Sequence, residues 1–221
     1  MTAEHFISLQ ISPLHSTDSI AYAIDEMLQQ GTRSLPVIGE GEFVGVVKLE
    51  DLENQIDSSV SISSLPTELL KPYFIYSHLH ELEVISAFGV FKCDVLAVVD
   101  SSGGYIGSIL ASEMLFSFAQ SVSFKIPGGV IVLELSTADY HLSQIAQIAE
   151  SGDARIVALY MSELPGSNRI LLTLKLNKEN LDGIIQTFER YNYETRAIFA
   201  HSKSAVDLMQ RYDLLMKWIN M

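Results

Sequence analysis

The chain has 221 residues, is 48% hydrophobic and carries a formal charge of −13. That length fits one large domain or two small ones with substantial cores, and the patterning described below favours two. The acidic balance repels polyanions with no basic stripe for nucleic acid, and no apolar run reaches the ~18–20 residues of a membrane-spanning helix.

Met1 to Ser8 lacks a basic region followed by an apolar stretch, so a cytoplasmic protein is expected. Cys93 is the only cysteine, which excludes an intramolecular disulfide and a cysteine-based zinc site. The six histidines are scattered, so no metal site is expected.

Ser16-Thr17-Asp18 reads as a helix start, and Ile20, Ile24, Met27 and Leu28 recur at helical spacing until Gly31 stops the run. Ser34 to Ile38 reads as a strand, Gly39-Glu40-Gly41 as a tight turn and Phe43 to Val47 as the hairpin partner, with helical patterning from Leu49 to Ile56. The order then returns. Tyr73 to Tyr76 is a strand, Ser77 an N-cap, and a helix runs to about Phe91; a hairpin from Val95 to Ile109 and a helix from Ala111 to Phe118 follow. Gln120 to Gly129 is the expected domain boundary.

Beyond it, Val130 to Leu135 reads as a strand, and Leu142, Ile145, Ala146 and Ala149 share a helical face. Arg155 to Met161 and Arg169 to Leu176 are strands joined by a turn over 164–168. Leu181, Ile184, Ile185 and Phe188 mark a second helix, and Glu194 to Phe199 a last strand. This is the βαββαβ order of split-βαβ domains. Ala205, Leu208, Met209, Tyr212, Leu215, Met216 and Ile219 then recur at helical spacing, which predicts a C-terminal helix over 203–221. That helix packs on the chain's own sheet or on a partner subunit, and the sequence leaves both open. The Arg169 to Leu176 strand is read as an edge in need of cover, which a homodimer supplies.

The first part of the chain is a duplication. Leu35-Pro36-Val37-Ile38, a turn and Phe43-Val44-Gly45-Val46-Val47 return as Leu96-Ala97-Val98-Val99, a turn and Tyr105-Ile106-Gly107-Ser108-Ile109. The step from Leu35 to Leu96 is 61 residues and that from Gly45 to Gly107 is 62, so the second turn holds one extra residue. Such spacing predicts two copies of one supersecondary unit sharing a core, with equivalent clefts between them. Nothing in the repeat pairs a nucleophile with a base, and the hydrolase, P-loop, zincin and dinucleotide motifs are missing from the sequence, so no enzyme activity is expected.

The Leu-Pro-Val-Ile, turn, Phe-Val-Gly-Val-Val, Lys-Leu-Glu-Asp-Leu succession resembles the cystathionine-β-synthase-type (CBS) repeat, and the second copy resembles it more loosely. Residues 1–120 therefore look like a CBS-domain pair. The element order over 128–200 looks like an ACT domain, a small-ligand regulatory module, and the combination resembles acetoin-utilisation-type regulatory proteins. The fold class implied is α+β: tandem CBS repeats, a ferredoxin-like ACT-like domain and a C-terminal helix. Since CBS pairs commonly hold adenosine nucleotides between repeats, the resemblance implies a homodimeric cytosolic regulator that binds AMP, ADP or ATP, requires no cofactor and acts on an unknown regulated protein. A ligand-free interaction scaffold and an amino-acid sensor working through the ACT-like domain are the competing readings.

In the family, the junction after each hairpin reads glycine, two apolar residues, Thr or Ser, two variable residues and Asp, the hydroxyl and carboxylate holding phosphate and ribose oxygens. Gly45-Val46-Val47-Lys48-Leu49-Glu50-Asp51 keeps Gly45 and Asp51 and sets Lys48 at the hydroxyl position, where an ammonium serves phosphate as a point charge. Arg33, just before the Ser34 strand, is a candidate phosphate contact, or else a solvated turn residue near Glu26 or Glu40; Pro36 of that strand completes the first set.

In the second copy Leu110 stands at the hydroxyl position and Glu113 replaces the aspartate, leaving Glu113 as its candidate; Asp94 is expected to repel phosphate. Asp51 also reads as a carboxylate stabilised by the dipole of its helix. The loop Ser136 to His141 lacks the glycine that ACT-type loops use for ligand approach, and is expected to cap the next helix.

Overall fold

The computed structural model describes residues 1–200, which divide into a first unit over Met1–Ala119 and a second beginning at Gln120. The expected C-terminal helix over 203–221 lies outside the described residues. In the first unit, strand β1 (Leu14–His15) precedes helix α1 (Ile20–Gln30). Ser19 caps α1, its Oγ accepting from the Tyr22 N–H, while the Asp18 carboxylate accepts from the His15 N–H and closes the preceding turn. The helix therefore starts later than the Ser-Thr-Asp run suggested.

Strands β2 (Ser34–Gly39) and β3 (Glu42–Lys48) are joined by Glu40 and Gly41, both at positive φ (52° and 88°), in the two-residue turn that suits strand twist. Helix α2 (Leu49–Glu53) follows. The second copy repeats this with β4 (Phe74–Tyr76), α3 (Glu81–Phe91), β5 (Val95–Val99), β6 (Tyr105–Leu110) and α4 (Ala111–Ala119). The N-cap of α3 is His80, not Ser77. Its ring accepts from the Leu82 N–H, and the Glu83 carboxylate accepts from the His80 N–H.

Each copy forms a three-stranded sheet, ordered β1-β2-β3 and β4-β5-β6. Both hairpins bulge one residue before their glycine, leaving Val44 unpaired between Phe43 and Gly45, and Ile106 between Tyr105 and Gly107. The extra turn residue of the second copy is absorbed by Asp100, whose carboxylate accepts from Ser102 N, Ser102 Oγ and Gly104 N.

The duplication extends into segments that share no sequence likeness. Ile20 N donates to Val60 O and Glu81 N to Met1 O; Ile62 N donates to Asp18 O and Ala3 N to Leu79 O. Each copy's helix start is thus completed by the segment that leads into the other copy. At the far end Lys71 exchanges both backbone hydrogen bonds with Val46, and Ser8 N donates to Ser108 O. The cores follow the same logic: Leu14, Ile20, Met27, Leu35, Leu52 and Ile62 form one cluster that also takes in Val95 and Leu110 from the second copy.

The second unit holds α5 (Val122–Lys125), β7 (Val130–Ser136), α6 (Leu142–Ser151), β8 (Ile156–Glu163), β9 (Arg169–Leu176), α7 (Asp182–Arg190) and β10 (Glu194–Phe199). The antiparallel sheet runs β10-β7-β9-β8. Its face of Ile131, Leu133, Leu172 and Leu174 packs against Ile145 of α6 and Phe188 of α7. Strand β9 is internal, not the edge expected from its sequence: it pairs with β7 on one side and with β8 on the other, and among the described residues the outer strands are β8 and β10.

Candidate functional site

The candidate residues of the first copy lie where β3 runs into α2, and the fold accounts for each in turn. Gly45 is buried, and a Cβ there would stand 2.8 Å from Leu70 Cβ and 2.9 Å from the Leu70 carbonyl carbon. The glycine thus admits the crossing segment. Pro36 is buried opposite Val46, whose N–H and C=O both turn away to Lys71. On its other side β1 begins only opposite Val37, so the missing proline N–H leaves no ladder partner unpaired.

Lys48 occupies the N-cap position of α2 without capping it, and its Nζ lies 5.4 Å from the centre of the Tyr73 ring. Tyr73 in turn stacks on Phe91, with centroids 5.0 Å apart and planes at 20°. Asp51, in the first turn of α2, is half-buried, and its carboxylate has no hydrogen-bond or ion-pair partner among the described residues.

Arg33 is exposed and pairs with neither Glu26 nor Glu40. Its backbone is committed: its N–H donates to Asp94 Oδ2 at 2.6 Å and its carbonyl accepts from Leu49 N at 2.8 Å. Asp94 Oδ1 accepts from Ser34 Oγ, and the Asp94 carbonyl accepts from Ala111 N. Arg33 and Asp94 are therefore twofold mates, and the Asp94 carboxylate ties the two copies together. Beside it, burial first and Asp94 second push the Cys93 thiol up to about 11, against a smaller opposing pull from Lys48.

The second junction is built differently. Leu110 packs into the core of the first copy, and Gly107 is covered by the side chain of Ile7. Ser108 is buried, its Oγ 3.0 Å from Tyr105 Oη. Glu113 is half-buried in the first turn of α4 with no partner among the described residues.

The structure thus joins Lys48 to Tyr73 and Arg33 to Asp94, and leaves the Asp51 and Glu113 carboxylates without a partner among the described residues. Sequence reading missed Tyr73, Phe91 and the Asp94 tie. The position of Tyr73 at the mouth of the second copy's first strand was the available signal.

In the second unit, a polar cavity of about 410 Å³ is lined by Glu134, Ser136, Asp139, His141, Arg169 and Tyr193. Arg169 is already committed to Glu134 Oε1 at 2.9 Å and Glu194 Oε2 at 2.6 Å, and Arg196 lies 3.5 Å from Glu134 Oε2. The loop before α6 does not cap that helix. Ser136 instead accepts from Asp139 N and bonds its carboxylate, closing a short 3-10 turn, and His141 stands uncapping at the helix start. A second groove of about 1020 Å³ runs beside β8, an outer strand among the described residues, against Leu142 and Ala146 of α6. Among the described residues no helix is long and apolar enough to cross a membrane, and no three metal-ligating side chains come together.

Two interlocked copies of one α/β unit, with their junctions in equivalent places, make up the first unit. Residues 7–57 match the CBS domain family model, so the chain carries a CBS domain there. No curated protein matches the chain. Among solved structures, a CBS domain pair/ACT domain protein from Thermotoga maritima is 19% identical, with a TM-score of 0.49 over 55% of this chain and 99% of that one.

The CBS domains of a transcriptional regulator from Streptococcus pneumoniae are 17% identical, with a TM-score of 0.46 over 52% of this chain and 98% of that one. CBSX2, solved in complex with AMP, is 19% identical, with a TM-score of 0.44 over 54% of this chain and 96% of that one. The family-model match carries the CBS assignment.

Proposed function

We propose that this protein is a regulatory sensor whose first unit, a CBS-type pair over 1–120, binds an adenine nucleotide at the β3–α2 junction. The observation that carries the reading is the unpartnered Asp51 carboxylate, three residues beyond an ammonium seated over an aromatic stack. In this reading Asp51 accepts from the ribose hydroxyls, and Lys48 and the exposed Arg33 guanidinium meet phosphate. Gly45 and Pro36 shape the hairpin behind them. Glu113 stands alone at the second junction, so the first is the principal site.

The second unit, ACT-like over 128–200, serves assembly into a homodimer, in the domain order of acetoin-utilisation-type regulators. The protein acts in the cytoplasm by binding energy alone, requires no cofactor and is read by a regulated partner protein.

The test is a thermal-shift series with AMP, ADP and ATP. A nucleotide at a hundred times its Kd stabilises by about 2.7 kcal/mol, a rise of several degrees for a unit of this size. Asp51→Ala is expected to abolish the rise while leaving the melting temperature of the free protein near that of the parent. A transition that no adenine nucleotide moves at millimolar concentration would favour the ligand-free scaffold instead.

A further inference from the structure

The two copies of the first unit lay equivalent helices on equivalent cores, so each residue of α3 and α4 has a mate in the other copy that shows what the fold itself requires. Ala23 and Val84 are buried mates, as are Leu52 and Met114. On the outer side the copies differ. Asp25, Glu26, Gln29 and Gln30 of α1 become Ser86, Ala87, Val90 and Phe91 of α3, and Glu53 and Asn54 at the end of α2 become Leu115 and Phe116 of α4. Leu82, Val90, Leu115 and Phe116 are between 61% and 71% exposed, and α3 bears no charge from Val84 to Phe91. A helix that is apolar on its outer side as well as its inner one calls for cover on both.

Gly89 narrows the choice of cover. Glycine is a poor helix former, yet this one stands exposed inside α3, takes no positive φ and would have open space around a Cβ. Its mate is the exposed Leu28, so the fold admits a long side chain at this position. Leu82, Ser86 and Gly89 fall within a stripe ~60° wide, with a large side chain one turn before the serine and a gap about one turn after it.

We propose that this face pairs with the same face of a second copy, α3 running antiparallel to its counterpart. About a twofold axis beside Ser86, Leu82 of each chain enters the gap at Gly89 of the partner subunit, ~5 Å along the helix from the axis. The same pairing brings the acidic first turn, Glu81 and Glu83, to within a turn of Lys92 of the partner subunit; Lys92 is exposed just past the helix end and has no ion-pair partner among the described residues. A projection and a gap, and opposite charges, at opposite ends of one helix are what a self-complementary contact needs. In a chain of charge −13, an uncharged helix face is also where two copies meet with least repulsion. This contact of the first unit adds to the homodimer proposed through the second, and it rests on α3 rather than on that reading.

The test uses the full chain with Cys93→Ser and one introduced thiol, Ser86→Cys, treated at micromolar concentration with a short bismaleimide; Asp25→Cys, the exposed mate on α1, is the control. The expected result is a covalent dimer with Ser86→Cys in several-fold higher yield than with Asp25→Cys. That yield is expected to vanish when Gly89→Leu closes the gap, a change for which the chain itself has room, and when Leu82→Ser removes the entering side chain. Equal yields at the two thiol positions, or a yield that Gly89→Leu and Leu82→Ser leave unchanged, would overturn the proposal. Light scattering on the same samples separates the two interfaces. A dimer whose Ser86→Cys chains do not cross-link would overturn this contact and leave assembly through the second unit standing, whereas a monomer would overturn both.

Discussion

At the residue scale, the junction separates groups that build the hairpin from groups that are free to bind. Gly45→Ala forces a methyl group against the Leu70 backbone and is expected to cost about 1–3 kcal/mol, lowering the melting temperature by several degrees. A Gly45→Ala protein as stable as the parent would show that Leu70 yields freely.

Cys93 makes a second prediction. Its thiol ionises near the ordinary 9.0 in the unfolded chain but only near 11 in the fold, so between these values the unfolded state holds fewer protons. Stability therefore falls as pH rises through that window, and burial of Tyr105, whose pKa is also raised, acts in the same direction. Urea midpoints of Cys93→Ser are expected to fall less steeply there than those of the parent; equal slopes would contradict the burial account.

The placement of Lys48 and Asp51 where β3 runs into α2 was legible in the sequence, because the apolar hairpin strand and the acidic helix start fix that junction between them. Asp94 was not, because its bonds to Arg33 and Ser34 join positions sixty residues apart that meet only once the copies interlock.

At the element scale, long periodic elements were legible and short or irregular ones were not. Strands β9 and β10 fall over the residues that alternation assigned to them, whereas the two residues of β1 carry no periodicity to read. The edge assignment failed for β9 because strand order is a tertiary fact. The true edge β8 bears Arg155 just before it and Glu163 at its end.

Antiparallel pairing of two copies about Leu159 would set each Arg155 against Glu163 of the partner subunit, a self-complementary arrangement for the proposed homodimer. Tyr160→Lys with Met161→Lys, both at exposed positions, is expected to halve the mass seen by light scattering at micromolar concentration. A dimer that survives both lysines would place the interface elsewhere.

At the scale of the whole molecule, the fold is two copies completed by each other's leading segments, followed by a separate α/β unit. The first junction offers one ammonium, one exposed guanidinium and one carboxylate. Nucleotide hydrolysis needs a metal-held phosphate and a positioned water, so incubation with ATP and Mg²⁺ is expected to release no phosphate above the blank. Release that disappears in Lys48→Ala would make the junction an active site.

The central claim is that one adenine nucleotide binds at the junction holding Asp51, and calorimetric titration of the full chain tests it most directly. The account predicts one site per chain for the preferred nucleotide and loss of the binding heat in Asp51→Ala. Two equivalent sites per chain, or binding that Asp51→Ala leaves unchanged, would contradict it.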